Sequence, residues 1–524
     1  MKKLIKNNNV KLALLLIYPL IVALGLEMAF YETGFSTGEN LKENFLSATA
    51  LFFLIKVLLQ FKLKRISTFL IVFFYLIIII ETCLFLLFKA RFNSSYLYVI
   101  LNTNFNEIKE FSSVYSSSKL LVVFLFFIPI LVRSFRRIFY KNNFTSRPIY
   151  LNLILVLIVL IFLKFSGLII YNLPYIVVKS YIQYSEQVTS IEEFNENSKD
   201  INVSTSTNND LLVVIIGESA SRQHMSVYGY KRKTTQLLEK FDDSLLIYND
   251  VISSHVYTTG SLIDAFTLKN VEEPKKNETL IPFFKSAGYQ VTWLSNQRPV
   301  GIHDNMVSRL SSAADEKIYL SYNDFRDQTA YDEILLPIFQ KKLKNDYKQV
   351  VFIHLSGSHY DYKKRVPKDF QKFIIDSASE KEQIINSYDN SIFYTDYIVS
   401  QIIKYVKYTN KKSAVVYFSD HGDEVYDTQD FFGHFEDNPT PAMYEIPFIV
   451  WKSNTFETPE NFEFNSSRKF MLDDLPHSLT HLLGIKNDKL TEDRSLFSKN
   501  FNERRRKVIE NQDYSEFKQK FVNE

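Results

Sequence analysis

Five apolar stretches, at 10–30, 45–61, 66–88, 120–132 and 149–170, dominate the first 171 residues. A helix that crosses a bilayer needs about 20 mostly apolar residues. The first, third and fifth stretches reach that length, while the second and fourth are short; together they predict a five-helix transmembrane domain over 1–171. Residues 173–194 are amphipathic and suit the outer membrane surface, and the polar run NENSKDINVSTSTNND at 195–210 reads as a linker. From Leu211 the period changes. Short apolar runs (LLVVII at 211, LLIYNDV at 245, QVTWLS at 290, QVVFIHL at 349, SAVVYFS at 413, IPFIVW at 446) alternate with amphipathic segments such as ETLIPFFKSAGY. This alternation predicts an α/β, doubly wound and mostly parallel sheet with helices on both faces over 211–500. A charged tail, 501–524, follows.

Charge placement orients the chain. Lys2, Lys3 and Lys6 precede the first span, Lys62, Lys64 and Arg65 separate the second and third, and Arg133, Arg136, Arg137, Lys141 and Arg147 separate the fourth and fifth. The loop after the first span carries Glu32, Glu39 and Glu43 against Lys42, although Lys89 and Arg91 open the third loop. The positive-inside rule then puts the N-terminus in the cytoplasm and everything after residue 171 outside. The first stretch is long and lacks a small-residue cleavage site, so it reads as a retained anchor. Lys11 and Lys56 lie near cytoplasmic ends and can snorkel. Glu27, Glu81 and Lys164 fall in the outer half of the membrane, where a charge serves function, snorkels to the interface or is paired.

Composition excludes some classes. The net charge of +3 gives no reason to expect nucleic acid. The single cysteine, Cys83, lies in an apolar run, so neither a disulfide framework nor a cysteine zinc site is available. All nine histidines lie between His224 and His481, in the second part of the chain.

Sites on such a sheet lie beyond the carboxyl ends of its strands. Gly217-Glu218-Ser219 follows LLVVII, Ser356-Gly357-Ser358-His359 follows QVVFIHL, and Asp420-His421-Gly422 follows AVVYFS. Separately, these are an ordinary helix cap, a loop histidine and a solvated acidic turn. Together, Glu218, Asp420 and His421 offer zinc three protein ligands with an open fourth position. Asp423, Glu424 and Asp427 then face solvent or orient the ligands. Lys364 and Arg365 read as solvated surface charges. His477 and His481, four apart on an apolar-patterned segment, read as structural.

The runs LLVVIIGESASRQHMSVYGY, VISSHVYTTGSL, HLSGSHYDYKKRVP, YFSDHGDEVYD and GHFEDNPTPAMYEIPFIVW, in this order, resemble the membrane phosphoethanolamine transferases of the alkaline phosphatase and sulfatase superfamily. The resemblance covers most of the chain. It implies transfer of phosphoethanolamine from phosphatidylethanolamine to lipopolysaccharide, on lipid A or a core sugar, with release of diacylglycerol. It also implies a zinc-activated phosphothreonine intermediate and one or two Zn2+ ions. The setting it implies is a multi-pass protein of the bacterial inner membrane with a periplasmic catalytic domain. Carried over by position, Glu218, Asp420 and His421 match the metal ligands. Thr258, placed by its spacing from Tyr257 and Leu262 and preferred to the adjacent Thr259, matches the nucleophile and fourth ligand. His359 and His434 match the histidines near the phosphate or a second zinc, and Asn104 and Glu107, in NTNFNEIKE, match a donor-binding segment. The chain departs from the pattern in lacking cysteine in its soluble part and in having Val256 where relatives carry proline. Lipoteichoic acid synthases, which transfer glycerol phosphate, share the layout and are the alternative enzyme. A non-catalytic lipid-binding protein on the same fold is the other alternative, and it would lack a ligand-type residue.

Overall fold

The computed structural model describes residues 8–30, 35–88, 123, 125–127, 148–182, 201–270, 272, 278–299, 305–321, 330–374, 379–435, 438–508 and 511–522. The chain divides into two units, the first ending at Ser185 and the second beginning at Glu186.

In the first unit, α1 (Asn8–Phe30), α2 (Phe35–Gln60) and α3 (Lys64–Phe88) are each long and apolar enough to cross a membrane. Helix α2 starts well before the apolar run at 45 because its polar first turns find partners inside the unit. Glu43 accepts from Ser47 at 2.5 Å and from Asn172 at 2.8 Å. Asn44 and Asn40 donate to Glu81 of α3 at 2.8 and 3.3 Å. Glu81 is therefore paired across helices and Glu27 is buried on α1, whereas Lys164 is exposed. Helix α4 (Ile149–Phe165) has 17 residues, shorter than the apolar stretch at 149–170. Gly167, at φ 75, takes the left-handed conformation that stops a helix, and a 3-10 turn follows at Leu168–Tyr171. A further apolar helix spans Leu173–Ile182. Most of the fourth stretch, together with Asn104 and Glu107, lies outside the described residues.

The second unit is built on a seven-stranded sheet. Its strands are β1 (Leu211–Gly217), β2 (Leu245–Ile247), β3 (Gln290–Ser295), β4 (Glu316–Tyr319), β5 (Gln349–His354), β6 (Ser413–Ser419) and β7 (Phe448–Lys452). The spatial order is β2-β7-β6-β1-β5-β3-β4. Neighbours from β6 to β4 pair in parallel, and β7 pairs antiparallel with both β6 and β2. All six expected apolar runs supply strands. The reversal of β7 is not in their pattern, since an apolar run does not encode its direction.

Strand β1 is buried along its whole length. Leu212, Val214 and Ile216 join one apolar cluster, and Leu211, Val213 and Ile215 join another on the opposite face. A parallel strand covered on both faces reads as such a continuous apolar run. The first cluster includes Phe266, Trp293 and Phe352, with ring centroids 5.3 to 5.5 Å apart. The second is roofed by the helix Glu380–Lys407, which begins with a capping box between Ser379 and Glu382.

Two segments are more tied down than their composition suggests. The second half of the expected linker belongs to the fold: Ser204 and Thr205 pair with Lys486 and Ile485, and Asn209 is buried against Glu457. The charged tail forms a hairpin and a helix, Tyr514–Val522, whose Tyr514 and Phe517 pack with Ile252, Val256 and Tyr444. Polar composition hid both because their apolar contacts are few and widely spaced in sequence.

Candidate active site

The parallel strands β1, β5 and β6 end side by side, so the residues that follow them meet. Ser219, at φ 56, turns the chain sharply after β1 and is held there from several sides. Its N–H donates to Asp420 Oδ1 at 3.1 Å, its hydroxyl to Glu218 Oε1 at 2.9 Å, and its carbonyl accepts from Tyr388 at 2.7 Å. A non-glycine residue held at positive φ is strained, and such strain concentrates at functional sites. Two glycines are required by close approach. A Cβ on Gly422 would lie 2.2 Å from the Ala442 carbonyl, and one on Gly357 would lie 2.8 Å from the Glu218 backbone.

Glu218, Asp420 and His421 bring ligand atoms within 4.8 Å of one another, and all three are buried. The Nδ1–H of His421 donates to the Gly422 carbonyl at 2.9 Å, which leaves Nε2 facing Glu218 Oε1 at 3.5 Å and Asp420 Oδ2 at 3.6 Å. Thr258 enters from the first residue of the helix Thr258–Phe266. Its Oγ1 lies 3.2 and 3.3 Å from the Glu218 carboxylate and 3.4 Å from His421 Nε2.

The electrostatics ask for a cation. Burial and the charge of Glu218 push the Asp420 carboxyl up to about 7. Burial opposes a charge on His421, but Asp420 and Glu218 beside it hold its pKa up to about 10. Asp420 Oδ2 is buried and accepts no hydrogen bond. A buried polar atom left unpaired is costly. An oxygen- and nitrogen-donor set with that open atom fits zinc.

The flanking histidines are held in defined roles. His359 Nδ1 accepts from the Arg365 guanidinium at 3.2 Å, so its proton sits on Nε2. Arg365 is no solvated charge. It is buried and wraps the strand-end loop through Ser356, His359 and Tyr360, whereas Lys364 does pair at the surface with Asp361. His434 meets Asp423 Oδ1 through Nδ1 at 2.7 Å, and its ring stands 4.3 Å from that of His421. The other Asp423 oxygen accepts from Tyr362 at 2.6 Å. Asp423 is thus buried and engaged on both sides. Although His421, Asp423 and His434 also cluster as metal-type groups, Asp423 is occupied as an orienting group. Glu424 is likewise buried, accepting from the Thr428 N–H and hydroxyl at 2.8 Å. His477 and His481 lie away from this cluster and are tied to Thr491 and Ser495.

Sequence reasoning missed several supports. Gln297 donates to Glu218 Oε2 at 3.0 Å and to the Leu355 carbonyl at 2.8 Å. A lone glutamine after a strand carries no pattern that could reveal this. His224 pairs with Asp389 at 2.6 Å and with Asp427 at 3.1 Å, so it ties the turn after β6 to the long helix. Burial works against its charge, but those two aspartates raise its pKa to about 9. Because the folded value lies above the unfolded one, the pairing stabilises the fold fully below the unfolded value and is lost as pH rises through about 9. Stability should therefore fall by up to roughly 3 kcal/mol across that window. Denaturant titrations of His224→Gln should show a flat profile there; an equal slope in the variant would remove His224 as the cause.

This fold, with a buried cluster of metal-type ligands at its strand ends, is of the sulfatase type, and the sulfatase family model matches residues 210–485. Phosphoethanolamine transferase EptC of Escherichia coli O18:K1:H7 is 30% identical over 91% of this chain and 90% of its own. Phosphoethanolamine transferase CptA of Salmonella typhimurium is 28% identical over the same shares. The crystal structure of the C-terminal periplasmic domain of Escherichia coli EptC in complex with zinc superposes with a TM-score of 0.56. It shares 35% identity and covers 60% of this chain and 96% of that one. The chain belongs to the phosphoethanolamine transferase family within the sulfatase superfamily. It is an integral membrane enzyme with a periplasmic catalytic unit.

Proposed function

We propose that the chain transfers phosphoethanolamine from phosphatidylethanolamine to lipopolysaccharide through a phosphothreonine on Thr258. The observation that carries this reading is the approach of the Thr258 hydroxyl to within 3.2 to 3.4 Å of Glu218 and His421. A threonine hydroxyl is a poor nucleophile until its proton is drawn away. Glu218, Asp420, His421 and the Thr258 oxygen would hold zinc, which when bound acidifies that hydroxyl and draws charge from a phosphate oxygen.

In the first half-reaction the Thr258 oxygen attacks phosphorus, the bond to the diacylglycerol oxygen breaks, and that oxygen takes up a proton. In the second, an acceptor oxygen attacks, the Thr258–phosphorus bond breaks, and the acceptor's proton returns to Thr258. His359, with its proton on Nε2, would donate to the phosphate or the departing oxygen. His434, oriented by Asp423, can take the complementary role. In the membrane unit we assign five crossings and give Asn104 and Glu107 the donor's ammonium. A tethered domain also searches a plane for its lipid substrates.

Two experiments bear on this. Mass spectrometry of the modified lipid separates it from glycerol phosphate transfer, since only phosphoethanolamine adds an amine; a glycerol phosphate adduct would overturn the reading. The alternative without catalysis predicts a missing ligand-type residue, and none is missing. Asp423→Asn should lower kcat by roughly 10–100-fold with little change in donor KM, because it frees the His434 ring. Asp423→Glu should recover part of the loss. An effect confined to KM would show that Asp423 serves binding alone.

A further inference from the structure

The segment that delivers Thr258 is gripped by the end of the chain. Val256 is buried and Tyr257 half-buried, and both pack into an apolar cluster with Tyr514 and Phe517 of the final helix, Tyr514–Val522. We propose that this helix and the hairpin before it are a positioning clasp for Thr258, setting the rate of attack by holding the residues that flank the nucleophile. The proposal rests on the threonine mechanism given above.

The cluster reaches both halves of the site through the short helix Pro441–Tyr444. The Ser253 N–H, on the way into the nucleophile turn, donates to the Tyr444 carbonyl at 2.8 Å. The Gly422 N–H, next to His421, donates to the Met443 carbonyl at 2.8 Å. The nucleophile turn and the ligand turn therefore hang from one support. Tyr514 and Phe517 cover that support, with ring centroids 6.1 and 5.7 Å from that of Tyr444.

Polar contacts key the clasp in place. Glu445 is buried and accepts from the Tyr514 hydroxyl at 2.8 Å and from Lys518 at 2.5 Å. The same carboxylate pairs with Arg222 at 3.1 Å, and Arg222 donates to the Val251 carbonyl at 2.6 Å. Arg506, at the start of the hairpin, binds Asp250 at 2.6 Å. Arg504 binds Asp473 and Asp474, in a turn that contacts the helix Thr258–Phe266. Contacts within the nucleophile turn, His255 with Asp264 at 3.0 Å and Ser253 with Ser261 at 2.8 Å, fix its internal shape. The tail fixes where that shape sits. A hydroxyl that meets Glu218 and His421 at 3.2 to 3.4 Å depends on that placement, because a shift of about 1 Å can cost on the order of 10²-fold in rate.

The test uses the full-length protein in nanodiscs containing phosphatidylethanolamine, with no acceptor, and follows diacylglycerol release in a single turnover per folded molecule. Phe517→Ala opens the cluster, and Lys518→Glu sets a carboxylate against the buried Glu445. Each should slow the release step about tenfold while donor KM and zinc affinity stay close to wild type. Phe517→Leu should recover most of the rate. Lys520→Glu, exposed on the same helix, should keep it. If Phe517→Ala fails to fold, Lys518→Glu decides alone, since that side chain is 45% exposed. A lower unfolding temperature with an unchanged release step overturns the clasp, because packing alone would produce it. A loss carried only by donor KM or by zinc affinity overturns it as well. If the wild type itself releases no diacylglycerol and carries no adduct on Thr258, the threonine mechanism fails and the clasp falls with it.

Discussion

Thr258→Ala is expected to lower phosphoethanolamine transfer by roughly 10⁴-fold or more, as loss of a covalent nucleophile does elsewhere. The hydroxyl oxygen lies 3.4 Å from His421 Nε2 and 3.2 and 3.3 Å from the Glu218 carboxylate. Residue 258 is only half-buried and opens its helix, so the loss of the γ-groups should cost about 1 kcal/mol of stability or less. The unfolding temperature should therefore stay close to wild type while turnover disappears. Peptide mass spectrometry after incubation with donor should find a phosphoethanolamine adduct on residue 258 in the wild type and none in the variant. Thr259→Ala is the internal control and should keep most activity. An adduct on Thr259, or a Thr258→Ala protein that turns over normally, would move the nucleophile.

The catalytic sheet was legible because a strand buried on both faces leaves an unbroken apolar run, as Leu211–Gly217 does. The metal-type residues were legible because they follow such runs directly, so the end of each strand locates them. What could not be read has no local signature. Gln297 reaches Glu218 from a different strand end, and His224 finds Asp389 and Asp427 across long sequence separations. Arg365 ends a basic run, KKR, that reads as solvated, yet it turns inward to hold His359. Composition also misplaced the ends of the spans. The polar turns of α2 are helical because Glu43 and Asn44 bond inward, and Gly167 ends α4 early because it takes a positive φ.

Asp420→Asn should change stability in opposite directions with and without zinc, and that reversal is the sharpest test of the metal site. In the metal-free protein, Asp420 faces Glu218 in a buried setting, with Oδ2 accepting no hydrogen bond. The amide keeps an acceptor for the N–H groups of Ser219 and His421, which now donate to Oδ1 at 3.1 and 2.8 Å. It also removes the like charge beside Glu218. Without metal, the variant should therefore be as stable as the wild type or more so. With zinc the order reverses. A ligand that binds only the folded state stabilises it by about 4 kcal/mol at a thousandfold excess over its dissociation constant. Zinc should raise the unfolding temperature of the wild type by roughly 5–10 °C. The variant, with one anionic ligand fewer, should gain little, and its transfer rate should fall by at least roughly 10²-fold. Chelation should abolish wild-type activity and lower its unfolding temperature towards that of the variant. Equal responses of both proteins to zinc and chelator would show that Asp420 holds no metal, and the cluster around Thr258 would need another source of positive charge.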